Sequence, residues 1–409
     1  MAKHLLILTQ YFPPEVGAPQ NRLFELAIRL KAEGLHITVL TAMPNYPQME
    51  IYEGYRNKRY VSEDLQGLKV HRSSIYVSKS KSIVARLRNY FSFVLSSALL
   101  SSKLERQYDF LLCESPPLFL GYSAMYLARK KKAKLIFNVS DLWPESAEKL
   151  GVVTNKYLLA LAYRLEKKLY QRAALVTGQT KGICENITGR FPQVPCYWLP
   201  NGVDVSYYNP DKIEAGNWRQ KHGFSEHDFI ALYAGIIGIA QGLEVILYAA
   251  ERLKTNNTIK FVLLGSGPCK ADLLALKDKL GIHNVFFLDT VSKSEMPGIL
   301  KSVNTAVVPL RKLDLFKGAI PSKVFESLSM KVPILLGVDG EARQLFVEEG
   351  KCALFVEPEN AEALAQALTK LSTDEVLYKQ LSENASTYVN QKFNRTKIAE
   401  GFLAKLQQI

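Results

Sequence analysis

Short apolar runs recur along the whole chain, separated by stretches whose apolar residues have helical spacing. The runs contain Leu, Ile, Val and Phe without strict alternation, which is typical of strands buried on both faces of a sheet. In the first half they cover residues 5–9, 37–41, 110–113, 135–139 and 174–178. In the second half they cover residues 229–235, 261–265, 285–289, 305–310, 333–337 and 353–357. Strands that alternate with helices predict βαβ units and parallel sheets.

Two sets of such runs predict two doubly wound α/β domains. A chain of 409 residues is also too long for one compact domain. Polar and turn-forming residues after LPNGVDVSYYNPDK mark the seam. We predict a first domain over residues 1–205 and a second over 206–391. Ligands bind beyond the carboxyl ends of the strands in such sheets, so we expect the two domains to face each other across a ligand-binding cleft.

The excess positive charge lies entirely in the first half. Residues 1–200 contain 28 Lys and Arg against 15 Asp and Glu, whereas residues 201–409 contain 24 of each. This asymmetry favours an anionic partner for the first half, such as a membrane surface or a phosphorylated ligand, over a contribution to solubility alone. Charge is the sole feature that points to a nucleic acid, and no binding module accompanies it, so we expect no nucleic-acid partner.

Two segments of this basic half allow two interpretations each. Residues 89–102 are uncharged between basic flanks and are too short and serine-rich to span a bilayer. This segment either lies in a membrane interface or forms a helix buried against the first sheet. Residues 156–172 combine helical spacing with a basic face, as in a solvated helix or in one that contacts a membrane.

The N-terminal apolar run is too short for a signal peptide or a membrane span, and no cleavage site follows it. The five cysteines are scattered, which indicates reduced thiols. We therefore expect a cytoplasmic protein, peripheral on the inner face of the cell membrane.

Glycines follow several predicted strands, where a residue without Cβ lets a ligand approach the backbone. Gly17 lies between the first strand and the first helix, and Gly238, Gly265 and Gly267 follow strands of the second domain. The G-x-G at 265–267 lacks the third glycine and the later acidic residue of a dinucleotide fingerprint, which disfavours a nicotinamide cofactor.

The stretch GAIPSKVFESLSMKVPILLG places a cation and a carboxylate three residues apart at the start of a helix. Pro321 suits the first position, and Ser322 suits the cap. Lys323 beside a helix N-terminus suits a diphosphate, and Glu326 one turn later suits the vicinal hydroxyls of a ribose. Alternatively, Glu326 complements the helix dipole and Lys323 is solvated; the residues alone leave both interpretations open.

Several kinds of site are missing from the sequence. It contains no D-x-D, no pair of histidines with metal-ligand spacing, no P-loop and no G-x-S-x-G. We therefore expect no metal and no resident cofactor.

With these motifs, the whole chain resembles the retaining glycosyltransferases of family 4, which have the two-domain GT-B fold. The resemblance rests on YFPPEVGAPQNR, NVSDLWPES, LPNGVD, YAGIIGIAQGLE, LLGSGP and IPSKVFESLSMKVPIL. It is closest to bacterial O-antigen and capsule transferases with N-acetylfucosamine-type donors. It implies two Rossmann-like domains, with a last helix in residues 392–409 that crosses back to the first. It also implies transfer of a sugar from a UDP-sugar to a lipid-diphosphate-linked glycan.

The resemblance also assigns roles to single residues. Glu326 matches the second glutamate of an E-x7-E motif and binds the donor ribose, whereas the first glutamate falls on Gly318. The usual basic pair is missing from IIGIAQG, so Lys323 compensates the diphosphate charge, helped by Arg311 or Lys317. The family's histidine before an aspartate is Ser140 here, and Asp141 is kept. The predicted catalytic residues are Lys323, Asp141 and Gly17, and the predicted donor-binding residues are Glu326, Gly238, Gly265, Gly267, Arg311, Lys317, Ser322 and Val291.

Two other functions fit the same sequence. One is a nucleotide-sugar epimerase with the same two-domain shape. The other is a non-catalytic, nucleotide-sugar binding protein, which the glycine at position 318 would suit.

Overall fold

The computed structural model describes residues 3–15, 17–80, 82–149, 151, 153–214 and 216–409. Over these residues the chain divides into two compact units, one reaching Asn201 and including Thr396–Ile409, the other formed by Gly202–Arg395. The sequence placed the divisions after residues 205 and 391. The difference arises because Val203 forms a parallel bridge with Asn394, which pairs the two ends of the second unit with each other.

In the described part of the first unit, eight strands form one sheet in the order β3-β4-β2-β1-β5-β6-β7-β8. The strands are β1 His4–Leu8, β2 His36–Ala42, β3 Tyr60–Leu65, β4 Leu68–Ser73, β5 Phe110–Ser115, β6 Lys134–Val139, β7 Leu175–Gly178 and β8 Cys196–Trp198. All neighbours are parallel except β3 and β4, which are antiparallel. The apolar runs did not reveal β3, β4 or β8, because β3 alternates exposed with half-buried residues and β8 is only three residues long.

Six helices precede the second unit in the described chain: α1 Ala18–Ala32, α2 Ile83–Leu99, α3 Gly121–Lys131, α4 Glu145–Lys149, α5 Lys156–Arg172 and α6 Lys181–Arg190. They cover the two faces of the sheet through separate cores. Leu6 and Leu8 of β1 pack in one core with residues of α2, α3 and α5. Leu5 and Ile7, which point the other way along the same strand, pack in a second core with α1.

In the described part of the second unit, six parallel strands form a sheet in the order β11-β10-β9-β12-β13-β14. The strands are β9 Phe229–Ala234, β10 Ile259–Leu264, β11 Val285–Leu288, β12 Thr305–Pro309, β13 Ile334–Gly337 and β14 Ala353–Phe355. The helices are α7 Trp218–Lys221, α8 Glu244–Arg252, α9 Lys270–Leu280, α10 Met296–Lys301, α11 Lys323–Ser329, α12 Glu341–Arg343, α13 Ala361–Thr373 and α14 Glu375–Lys392. Each of the six apolar runs predicted for this half corresponds to one strand, so the prediction of two parallel α/β units is confirmed.

The final helix, α15 (Arg395–Gln407), belongs with the first unit. Its Ala399, Phe402 and Leu406 are fully buried in the core that contains α1 and one face of β1. The prediction that the last helix crosses back is therefore confirmed. Among the helices that the structure describes, none is both long and apolar enough to span a bilayer.

The loop after β10 packs directly on the backbone of the loop after β9. Gly265 has a φ of 146°, and a Cβ at this position would overlap the carbonyl oxygen of Gly235. Gly267 makes the same close approach to the carbonyl oxygen of Ile237. Both glycines are therefore required by the packing of the protein on itself.

We predict that Gly265→Ala destabilises the second unit. The strained backbone conformation of an alanine at this φ costs about 1–3 kcal/mol. Displacement of the Gly235 carbonyl group by the new Cβ adds to this cost. The control is Gly298→Ala, because Gly298 lies within α10 with no atom near its added Cβ. This control is expected to gain about 0.5–1 kcal/mol, since alanine is the better helix former. Urea unfolding of both variants measures the two changes, and equal stabilities would contradict the packing argument.

Candidate functional site

Four neighbouring loops lie at the carboxyl edge of the second sheet. They follow β11, β10, β9 and β12, which are adjacent in that order, and parallel strands end on the same side. The predicted residues Gly238, Gly265, Gly267, Val291 and Arg311 all lie in these loops. The structure therefore brings these five residues to one edge, although the packing described above already accounts for Gly265 and Gly267.

Helix α11 brings the predicted cation and carboxylate to this edge. Its buried face, formed by Val324, Phe325 and Leu328, anchors it beside β12 and β13. Lys323 and Glu326 lie on the opposite, half-buried side, and each changes the titration of the other. The placement of both side chains on one face of the helix was predicted from their spacing and is observed.

Lys323 lies under the end of β9. Its Nζ atom is 3.7 Å from the centroid of the Tyr233 ring, a distance typical of a cation–π contact. A Cβ on Gly235 would lie 2.8 Å from the same nitrogen, so a glycine at this position leaves room for the ammonium group. Burial lowers the pKa of Lys323 to about 7, and the charge of Glu326 opposes that shift.

Burial has the largest effect on Glu326 and raises the pKa of its carboxyl group overall. The charges of Arg395, Lys293 and Lys323 and a hydrogen bond from the Tyr208 hydroxyl oppose this shift. Tyr208 is held in turn, because its carbonyl oxygen accepts a hydrogen bond of 2.7 Å from the Ser329 hydroxyl of α11. The same carboxylate and burial raise the pKa of Tyr208 far above its usual range.

Sequence reasoning missed Tyr208, Lys293 and Arg395. They lie far from Glu326 along the chain, and none belongs to a motif with a recognisable spacing. Only the folding of the second unit brings them together around the carboxylate.

Ser322 does not have the capping role predicted for it. It occupies the N-cap position in helical conformation, and its side chain makes no capping hydrogen bond. A side-chain cap requires the extended backbone found at most N-caps, which explains the difference.

The two proposed phosphate helpers are engaged with carboxylates. Arg311 pairs with Glu244 at 3.1 Å and Glu359 at 3.3 Å, and its Nε donates to the carbonyl oxygen of Ile239 at 2.7 Å. Lys317 pairs with Asp314 at 2.8 Å.

Arg311 and Lys317 both line a cavity of about 350 Å³ at the ends of β12, β13 and β14. Neither Lys323 nor Glu326 belongs to the described lining of this cavity. The two helpers therefore share one cavity, and both are paired with carboxylates.

The predicted residues of the first unit lie at the carboxyl edge of its sheet. Asp141 follows β6 and accepts a hydrogen bond of 2.8 Å from the Ser146 hydroxyl. Desolvation of its carboxyl group raises the pKa of Asp141, although this hydrogen bond opposes the shift. Gly17 is the N-cap of α1 with extended backbone, which any residue adopts, and a Cβ there would meet only the end of the Gln20 side chain.

A buried polar network supports the segment that carries Asp141. Arg22 of α1 pairs with Glu114 of β5 at 2.6 Å and donates to the Ser140 hydroxyl at 2.7 Å. Ser140 and Asn138 also donate to Glu114, and Thr177 of β7 donates to Asn138 at 2.6 Å. The network links three adjacent strand ends to α1, and sequence reasoning missed Arg22 and Glu114.

Among the described residues, no group of three or more His, Cys, Asp or Glu side chains is arranged to hold a metal ion.

Two families match the chain, one in each half. Residues 17–202 match the family described as Glycosyl transferase 4-like domain, and residues 214–388 match Glycosyl transferases group 1.

One relative and two solved structures cover nearly the whole chain. WcaI of Escherichia coli (strain K12), named for a glycosyl transferase of colanic acid biosynthesis, is 26% identical over 381 residues, 89% of this chain and 91% of its own. Sucrose-phosphate synthase from Thermosynechococcus elongatus has a TM-score of 0.77 at 16% identity and covers 99% of this chain and 98% of its own. Anabaena HepE in complex with UDP and glucose has a TM-score of 0.72 at 14% identity and covers 99% of each chain.

The two family matches together span most of the chain, and the likenesses to solved structures agree with the topology of both sheets. The chain therefore belongs to the glycosyltransferases with the GT-B fold.

Proposed function

We propose that the chain is a retaining glycosyltransferase that uses a UDP-sugar and extends a lipid-diphosphate-linked glycan in the synthesis of a bacterial surface polysaccharide. The observation that carries the proposal is the placement of Lys323 and Glu326 on one side of α11, at the carboxyl edge of the second sheet. The name of WcaI and the UDP in the HepE structure support the pathway and the nucleotide, respectively. The reaction would take place at the cytoplasmic face of the cell membrane.

In this proposal Glu326 holds the ribose of the donor. An ionised carboxylate offers about four acceptor positions, and the Tyr208 hydroxyl occupies one of them. The remaining positions suffice for two vicinal hydroxyls. Burial raises the pKa of this carboxyl group, and the charges of Arg395 and Lys293 act in the opposite direction, toward the ionised form that this binding requires.

Lys323 would stabilise the charge that develops on the leaving diphosphate. An ammonium group in a position shielded from water acts on such charge more strongly than one in bulk solvent. Since its pKa is about 7 without a ligand, the arriving phosphate would shift Lys323 toward its charged form. This supplies the positive charge without a metal ion.

Asp141 is the candidate for a contact or base on the acceptor side. A carboxyl group with a raised pKa binds a proton more readily at neutral pH than an ordinary aspartate does. The polar network of Arg22, Glu114 and Ser140 would hold this segment in place. No side chain is proposed as a nucleophile, so the acceptor would attack from the face that the diphosphate leaves, with retention.

The donor sugar is proposed to be N-acetylfucosamine or a related N-acetylated sugar. The related family places a glutamate where this chain has Gly318, and a side chain there would enter open space. The sugar would therefore be bound without the carboxylate that usually contacts hexose hydroxyls.

We predict that Lys323→Ala and Glu326→Gln each lower kcat/KM by at least about 10²–10³, because each removes a charged contact to the donor. Lys331→Ala is the control, since Lys331 follows α11 at its other end and pairs with the exposed Asp211. Turnover is followed by mass spectrometry of a lipid-linked acceptor incubated with a panel of UDP-sugars. Nuclear magnetic resonance of the product tests retention.

Three outcomes of this assay would contradict the proposal. A change in the UDP-sugar without an acceptor would identify an epimerase, and UDP binding without any turnover would identify a binding protein. Near-normal turnover in either variant would remove the assigned roles of Lys323 and Glu326.

We predict that the affinity for UDP falls as the pH rises above the pKa of about 7 of Lys323. Bound diphosphate raises that pKa, so binding takes up a proton, and linkage gives a loss of up to about tenfold per pH unit. Titration calorimetry between about pH 7.5 and 9 measures the effect. This range lies above the pKa of the phosphate, about 6, so ionisation of the phosphate does not contribute. Lys323→Arg keeps its charge, so its affinity should stay constant over this range. A wild-type affinity that does not change with pH would refute the contact.

A further inference from the structure

The outward face of α2 is apolar. Val84, Phe91, Leu95 and Leu99 are exposed there, with Arg88 between them, and they recur at every third or fourth position along one side of the helix. Leu95 and Leu99 leave 65% and 79% of their surface accessible. A surface helix of a soluble protein normally has polar residues on its solvent-facing side, so an exposed apolar stripe requires an explanation.

The opposite face of α2 is packed in the normal way. Ala85, Phe93 and Val94 are buried, and Asn89 accepts a hydrogen bond of 2.9 Å from the side chain of Gln10, at the carboxyl end of β1. The fold of the first unit therefore packs one face of α2 and leaves its outward face exposed, where the ring of Phe91 lies 5.0 Å from that of Phe119.

Helix α3 extends the exposed stripe. It packs beside α2 on the same core, through Ala124 and Leu127, so the outward faces of both helices point away from the sheet. Tyr122 and Tyr126 are exposed on that outward face. We call Val84, Phe91, Leu95, Leu99, Tyr122 and Tyr126 the apolar patch.

The charges on the two helices that carry the apolar patch have one sign. Residues 65–104 and 115–140, which contain α2 and α3, include no Asp or Glu. Arg88, Arg129 and Lys130 are exposed beside the patch, and the Lys130 ammonium donates to the Tyr126 hydroxyl at 3.0 Å. Cations that flank exposed Leu, Phe and Tyr side chains are typical of surfaces that lie in the headgroup region of an anionic bilayer.

We propose that the apolar patch and its flanking cations dock the first unit on an anionic lipid bilayer. Leu95 and Leu99 enter the boundary of the acyl chains, the tyrosines lie at the level of the headgroups, and Arg88, Arg129 and Lys130 contact lipid phosphates. The inference extends the proposed function, whose acceptor is lipid-linked. Vesicle binding requires no turnover, however, so either claim can fail while the other stands.

Co-sedimentation with phosphatidylcholine vesicles, with and without phosphatidylglycerol, tests the docking surface. The wild-type chain is expected to bind the vesicles that contain phosphatidylglycerol and to leave them at high salt. Leu99→Glu should weaken binding at least tenfold, and Leu95→Glu/Leu99→Glu should abolish it. The matched control is Val376→Glu on α14 of the second unit, because Val376 and Leu99 are both 79% exposed.

A second variant tests the contribution of the flanking cations to lipid binding. Arg88→Glu/Arg129→Glu should remove the preference for phosphatidylglycerol while leaving the apolar patch intact. Thermal unfolding of each variant establishes that it is folded, which is expected because the substituted residues are all exposed.

Two results would overturn the proposal. One is vesicle binding that is unchanged in Leu95→Glu/Leu99→Glu. The other is a dimer or larger oligomer of the wild-type chain without lipid, detected by light scattering, that Leu99→Glu dissociates. The second result would identify the apolar patch as a protein interface.

Discussion

The position of one ammonium group is the constraint on which the proposed chemistry of the second unit depends. Two separate parts of the chain define that position: the end of β9, with the ring of Tyr233 and the backbone of Gly235, and the first turn of α11. A larger residue at 235 or a shifted helix would move Lys323 away from the sheet edge. The parallel sheet supplies the required precision, since strand order determines which loops meet.

The fold was predictable wherever burial leaves a clear pattern. All six strands of the second sheet, and five of the eight described in the first, are apolar runs, and their alternation with helices implied parallel pairing. The pairing of Lys323 with Glu326 was predictable for the same reason, because helical spacing places them on one side. Hairpin β3–β4 was not predictable from apolar runs, because its outer strand is polar at alternate positions.

The remainder of the site depends on contacts that local sequence does not encode. Tyr208 and Arg395 approach Glu326 from opposite ends of the second unit, and Arg22 reaches Glu114 across 92 residues. Gly265 and Gly267 were predicted to contact the ligand, although close packing against the neighbouring backbone also explains why these residues are glycines. Helix α2 shows a different difficulty: burial and membrane contact were treated as alternatives for its sequence, but the helix has one buried face and one exposed apolar face.

The first unit consists of two separate segments of the chain, and this affects the order in which the two units can fold during synthesis. Ala399, Phe402 and Leu406 of α15 complete a core whose other buried residues come from the first two hundred positions. These residues leave the ribosome only after the entire second unit has been synthesised. The second unit is therefore free to fold during translation, whereas the first exposes part of its apolar interior until its closing helix arrives, and chaperones have their main opportunity to bind during that interval.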